Sequence, residues 1–166
     1  MKPAAAHTVH AYIGLGANLG DARATVRQTI AALDRLPQTR LVRASSPYRS
    51  APIESSGPDY INAVAEIATS LAPLALLAEL QALEHAAGRE RPYHNAPRTL
   101  DLDLLLYGDR VLSGATLAVP HPRMLDRAFV LLPLAEIAPE KVAPEQLRAV
   151  AGQAVVRLSG PGNAPA

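Results

Sequence analysis

The chain has no cysteine and no tryptophan, a single phenylalanine, and only two lysines among its 16 basic residues. Without cysteine there can be no disulfide and no thiolate metal site, which fits a cytoplasmic protein. No apolar run approaches the ~18 residues of a membrane span. Met1 to His7 carries one Lys and no apolar stretch, so it reads as a frayed tail rather than a secretory signal, and Gly160 to Ala166 reads the same way. The net charge is +1, which gives no argument for a nucleic-acid or membrane surface. Two nucleotide-binding motifs are missing as well. Gly14-Leu-Gly16-Ala-Asn18-Leu-Gly20 invites a dinucleotide reading, but Leu19 stands where G-x-G-x-x-G needs its third glycine. No G-x-x-x-x-G-K-[ST] occurs anywhere, so the chain is not a P-loop enzyme.

What is present suits one domain of 166 residues with 49% apolar content and neither repeat nor linker. Val9 to Leu15 alternates as a strand, and Gly14 to Gly20 reads as a turn. Val26, Ile30 and Leu33 mark a helix over Leu19 to Leu36, with Asn18 as its cap and Asp21 in its first turn. Arg40 to Ser50 and Tyr60 to Thr69 read as strands separated by a Pro/Ser/Gly loop. Pro73 opens a second helix and Gly88 closes it, with Leu76, Leu80, Leu83 and Ala87 as its buried stripe. Gly88 to Arg98 is a polar loop, Thr99 to Tyr107 a strand, and Val119 to Pro122 a Pro-rich turn. Helices follow near Ala128 to Ile137 and Pro144 to Ala151. Strand, helix, strand, strand, helix, strand is the ferredoxin-like split βαβ order. It predicts an α+β fold with an antiparallel sheet, the two helices on one face and the C-terminal helices on the other.

The chemistry concentrates in Thr99-Leu-Asp101-Leu-Asp103-Leu. On a strand, Asp101 and Asp103 share one face while Leu100, Leu102 and Leu104 enter the core. Like charges two residues apart repel unless something neutralises them, and a bound Mg²⁺ does so with the hard oxygen ligands it prefers. Two such ions would clamp a polyphosphate. A solvated polar face is the alternative. Arg98 immediately before the strand, with Arg89 and Arg91 in the adjoining loop, favours metal plus anionic substrate over mutual ion pairing. That loop is expected to act as a lid that carries Arg89 and Arg91 onto phosphates and excludes water.

Tyr48-Arg-Ser50, Pro58-Asp-Tyr60-Ile-Asn62, Gln81, Glu84, Gly88-Arg89, Pro97-Arg98-Thr-Leu-Asp101-Leu-Asp103, Val119-Pro-His121-Pro-Arg-Met124 and Arg127-Ala-Phe129 together resemble the 6-hydroxymethyl-7,8-dihydropterin pyrophosphokinase family. The ordered likeness runs from about Tyr12 to Pro139. It implies a ferredoxin-like fold and transfer of pyrophosphate from ATP to the pterin's hydroxymethyl group, releasing AMP, in folate biosynthesis. Two Mg²⁺ would sit on Asp101 and Asp103. ATP contacts would fall on Gln81, Glu84, Arg89, Arg91, Arg98, His121 and Arg127, and pterin contacts on Asn18, Ser50, Ile53, Tyr60, Asn62 and Phe129. The resemblance also implies Arg89, Arg91 and Arg98 as catalytic along with the aspartates, and a monomer whose partners are small molecules alone. The chain departs from the family's habits at Asn95, where Trp is frequent, and at Ala17, Ser50 and Ala51, where Ser, Thr and Pro are common. Two rivals remain at this level: a nucleotidyltransferase using the same acidic pair, and a ferredoxin-like ligand-sensing module without catalysis.

Overall fold

Asp21 ends the first strand-to-helix turn by accepting the Ala24 N–H at 3.1 Å, which starts α1 at Ala22–Leu33. Asp21 is therefore the cap that the sequence assigned to Asn18, and Asn18 instead donates its side-chain amide to Pro58 O at 3.3 Å. The structure, a computed structural model, describes residues 8–52, 57–88 and 100–158. The expected lid, with Arg89, Arg91, Arg98 and Asn95, lies outside the described residues, as do Ile53 and both tails.

Strand β1 is Val9–Ala17, longer than its alternation suggested, so Gly14 and Gly16 lie in the strand rather than in a turn. Only Gly20 of this stretch needs a left-handed backbone, at φ +60°. The expected strand Arg40 to Ser50 is two strands, β2 at Thr39–Ala44 and β3 at Tyr48–Ser50. The break falls at Pro47, which cannot donate to a ladder. Beside it Ser45 replaces strand pairing: its N–H donates to Val64 O at 2.9 Å and its Oγ accepts the Val64 N–H at 3.0 Å. β4, Tyr60–Thr69, pairs along its length with β1 and holds β2 and β3 at successive positions on its other edge. Helix α2 runs Pro73–Gly88 and β5 runs Asp101–Tyr107, both close to expectation.

All the ladders of the main sheet are antiparallel, in the order β5-β1-β4-β3 with β2 also on β4. This is the ferredoxin-like arrangement. A short pair, β6 (Leu112–Ser113) and β7 (Ala118–Val119), follows β5 and was not legible in sequence. Helices α3 (Ala128–Ile137) and α4 (Pro144–Ala149) come next. A last strand, β8 at Val155–Arg157, adds itself to the outer edge of β3. No helix among the described residues is long and apolar enough to cross a membrane.

The sheet is covered on both faces. On one, Ile13, Leu15, Ile67, Leu102 and Leu104 pack with Leu33 of α1 and with Leu76 and Leu80 of α2. On the other, Tyr12, Val64 and Leu105 pack with Leu131, Leu134 and Ile137 of α3. Each such buried side chain contributes about 1.5–3 kcal/mol by leaving water. The register of β5 on β1 shifts between Tyr12 and Ile13. Alternation puts Leu105 on the α3 face with the aspartates, and the bulge returns Tyr107 to the α2 face.

Candidate active site

The α3 face of the sheet is apolar under the helix and polar beyond the helix's N-terminus. In register across it, Asp101 stands opposite Gly16 and Asp103 opposite Gly14. Gly16 in turn faces Asn62, and Tyr60 faces Ser50. Two carboxylates on an outer strand therefore look across a floor of two glycines at an amide, a phenol and a hydroxyl. A Cβ on Gly16 would stand 3.4 Å from Asn62 Oδ1 and 3.9 Å from the Tyr60 ring, so the missing side chain is what keeps this floor open. The two glycines recur at the strand period of two. That is the signal which separates a strand floor from a turn.

Over the floor sits a cavity of ≈ 370 Å³. Its walls include Ser50, Tyr60, Asn62, Asp101 and Asp103 from the sheet, and Arg123, Arg127, Phe129 and Val130 from the segment entering α3. The volume lies in the usual range for small-ligand sites, about 300–1,000 Å³. Asn62 is buried and donates to Ser50 Oγ at 2.8 Å, which fixes both side chains. The Arg127 guanidinium lies 5.5 Å from the centre of the Phe129 ring. Its Nε is buried with no hydrogen-bond partner among the described residues, a costly state that an anionic ligand nearby would relieve.

His121 approaches from the turn after β7. Its backbone N–H donates to Leu105 O at 2.9 Å, and its Nδ1 accepts the Arg123 N–H at 3.1 Å. A neutral ring then carries its proton on Nε2, which lies 3.8 Å from Asp103 Oδ1. Burial, foremost, pushes the imidazole below its ordinary value. Asp103 opposes that shift, and Arg127 and Arg123 reinforce it.

Of the residues expected at the site, the structure brings Ser50, Tyr60, Asn62, Asp101, Asp103, Arg127 and Phe129 into one cavity, with His121 beside Asp103. Asn18 lies outside its lining, at Pro58. Gln81 is exposed on α2, and Glu84 accepts the Leu102 N–H at 2.7 Å, tying the outer strand to the helix beneath it. Arg123 lines the cavity without having been expected there. The spacing Arg123 to Arg127, four residues across a 3-10 turn at Met124–Asp126, was its available sign. Among the described residues no three His, Cys, Asp or Glu side chains gather as a metal cage. Paired carboxylates beside a cavity still fit Mg²⁺, which characteristically takes one or two carboxylates and fills its shell with water and phosphate oxygens.

The chain as a whole is similar to known proteins. Residues 12–139 match the model of the 7,8-dihydro-6-hydroxymethylpterin-pyrophosphokinase family. The chain belongs to that family. A relative from Pseudomonas aeruginosa, a 2-amino-4-hydroxy-6-hydroxymethyldihydropteridine pyrophosphokinase, is 44% identical over 156 residues, covering 90% of this chain and 96% of the relative. One of the same description from Haemophilus influenzae is 45% identical over 137 residues, 82% of this chain and 86% of the relative. The family's reaction is pyrophosphoryl transfer to hydroxymethyldihydropterin in folate biosynthesis, with ATP as co-substrate. Among solved structures, an HPPK-DHPS in complex with substrates superposes at TM-score 0.64 and 12% identity over 86% of this chain and 45% of that one. A Plasmodium falciparum HPPK-DHPS superposes at 0.61 and 14%, over 81% and 38%. The chain spans less than half the length of these two-part proteins, and at such identities the likeness speaks for the fold.

Proposed function

We propose that this cavity binds the dihydropterin on the Asn62–Tyr60–Phe129 side and the ATP polyphosphate on the Asp101–Asp103 side, with two Mg²⁺ held by the aspartates. The observation that carries the reading is the placement of the carboxylate pair and the amide–aromatic wall in one ≈ 370 Å³ cavity. Asn62 offers a donor and an acceptor to the edge of a fused heterocycle, and Phe129 offers a ring to stack on it. When bound, Mg²⁺ supplies neutralisation of the phosphate charge.

In the reaction, the pterin hydroxymethyl oxygen forms a bond to the β-phosphorus of ATP. The bond from that phosphorus to the α,β-bridging oxygen breaks, AMP leaves with the oxygen, and the hydroxyl proton passes to solvent. Transfer of this kind depends on alignment and charge neutralisation more than on a general base. Arg127 and the Nε2–H of His121 face the phosphate side and donate to oxygens there, and the Asn62–Ser50 pair keeps the acceptor aligned.

The test is to incubate the protein with Mg²⁺, ATP and 6-hydroxymethyl-7,8-dihydropterin and identify the nucleotide product. AMP formed only when pterin is present is the expected result. ADP would mean an ordinary kinase, free pyrophosphate a nucleotidyltransferase, and no turnover with retained ligand binding a sensing module. Omitting Mg²⁺ should stop the reaction; undiminished turnover in EDTA would overturn the metal assignment.

A further inference from the structure

The N-cap position of α3 is filled by Arg127, which has extended backbone and makes no side-chain cap. Arginine has no acceptor, so it cannot serve the free N–H groups of a helix start. The cap comes from elsewhere. Gln153, 25 residues on, accepts the Ala128 N–H on its Oε1 at 2.8 Å and donates from its Nε2 to Asp126 O at 2.8 Å. One amide thus holds the backbone on both sides of Arg127, and Phe129 follows one residue after the bonded Ala128.

Gln153 is itself held. Its N–H donates to Val150 O at 3.0 Å, in the turn that closes α4. Two residues later β8 pairs with β3, Val155 opposite Ser50 and Arg157 opposite Tyr48. Leu158 N–H donates to Pro47 O at 2.8 Å, and Arg157 Nε to Ser46 Oγ at 3.1 Å. Glu136 of α3 accepts from Tyr48 Oη at 2.8 Å and from Arg157 at 3.3 Å. The segment therefore fastens to the Ser50 wall of the cavity at one end and to the Arg127–Phe129 wall at the other. It also lies beyond residue 139, where the family match ends.

We infer that the C-terminal segment 150–158 is a clasp setting the separation of the two pterin-facing walls, and that Gln153 is a positioning residue acting through Arg127 and Phe129. The physical logic is substitution of function. A Ser, Thr, Asp or Asn at position 127 would cap α3 but remove a cation from the cavity, and a remote amide lets the cap position carry the guanidinium. This rests on the pterin-binding reading of the cavity, and the test separates the two.

Pterin dissociation constants are measured by fluorescence for the full chain, Gln153→Ala and Gln153→Glu, each also in a Phe129→Ala background. Amide exchange at Ala128 to Leu131 is followed without ligand. Gln153→Ala should weaken pterin binding five- to twentyfold and speed exchange at Ala128 at least tenfold. In the Phe129→Ala background the same change should alter pterin binding less than twofold, because Phe129 is the route to the pterin while Arg127 serves the phosphate side. Gln153→Glu keeps the acceptor for Ala128 but not the donor for Asp126. It should protect the Ala128 amide yet still weaken pterin, and it serves if the alanine variant folds poorly. Unchanged exchange overturns the clasp, whatever the ligand. Equal weakening in both backgrounds overturns its action through Phe129. A wild-type chain that exchanges as described but binds no pterin overturns the functional reading and leaves the clasp as a cap alone.

Discussion

The α3 face of the sheet carries acidic and basic residues at both of its ends, and the two ends treat charge in opposite ways. At one, Glu66 of β4 is buried and fully engaged: His10 Nδ1 lies 2.5 Å from one carboxylate oxygen and Arg43 Nε 3.1 Å from the other. Arg43 also donates to Ile137 O at 3.0 Å, so the cluster pins the C-terminal end of α3 to the sheet. At the other end, His121 Nε2 lies 3.8 Å from Asp103, and Arg123 and Arg127 line the same cavity as the two aspartates. Charges that meet their partners directly, as Glu66 does, leave nothing for a ligand. Carboxylates and guanidiniums that line one cavity over an open floor can instead meet a ligand, the carboxylates through a metal and the guanidiniums through phosphate oxygens.

The sharpest break of this comparison is Asp103→Ala. Turnover should fall by about 10²–10³-fold or more, the scale of losing one preorganised electrostatic group, with the melting temperature changed by no more than a few degrees. Steady-state kinetics beside a thermal melt would show it, and full activity would remove Asp103 from the site. Glu66→Ala should do the reverse. Its partners are about half exposed and can recover water, so the loss is about 1–3 kcal/mol of stability. For a chain of this size that is roughly 2–12 °C of melting temperature, with kcat/KM within twofold when assayed well below the melt. A large kinetic defect would mean the two ends are coupled through α3.

Gly16→Ala tests the open floor. Its Cβ would touch Asn62 Oδ1 at 3.4 Å without clashing, so stability should hardly move while the pterin KM rises about tenfold, as a misplaced contact in a ligand site can cost. An unaltered KM would show that the floor is not in contact with substrate.

The smallest effect is alkaline. Burial is the main reason that Tyr12, beside Glu66, is pushed up to about 12, and that Tyr48 and Tyr107 are raised as well. The unfolded tyrosines ionise near their ordinary value of 10.0, so the unfolded state loses its protons first. Stability from these groups is complete below about pH 10 and declines as pH rises toward 12. Absorbance titration should show delayed ionisation of these three, with the melting temperature falling over the same interval. A single transition near 10 would contradict their burial.

Much of the fold was legible because local rules and tertiary packing agree. Pro73 and Gly88 bracket α2 as their positions in a helix require, and Leu76 and Leu80 lie at its buried centre. Legibility failed where a distant group took over a local task. Asn18 was the stronger-looking cap, yet Asp21 is used because β1 continues through Ala17 to pair with Ile61. Arg40 to Ser50 carried strand propensity throughout, and only the fit of Ser45 against Val64 divides it. The three residues of β8 carry too little pattern to be seen without the β3 edge they complete.

By itself the sequence determined the order of elements, the shared face of Asp101 and Asp103, and the family resemblance. Each depends on spacing within a segment, and strand and helix periods turn spacing into direction. Only the tertiary structure decided that Gly14 and Gly16 are a floor, that Arg123 faces the cavity, and that Gln153 caps a helix begun by an arginine. Those facts depend on registers and contacts between segments far apart in the chain, where no local period applies.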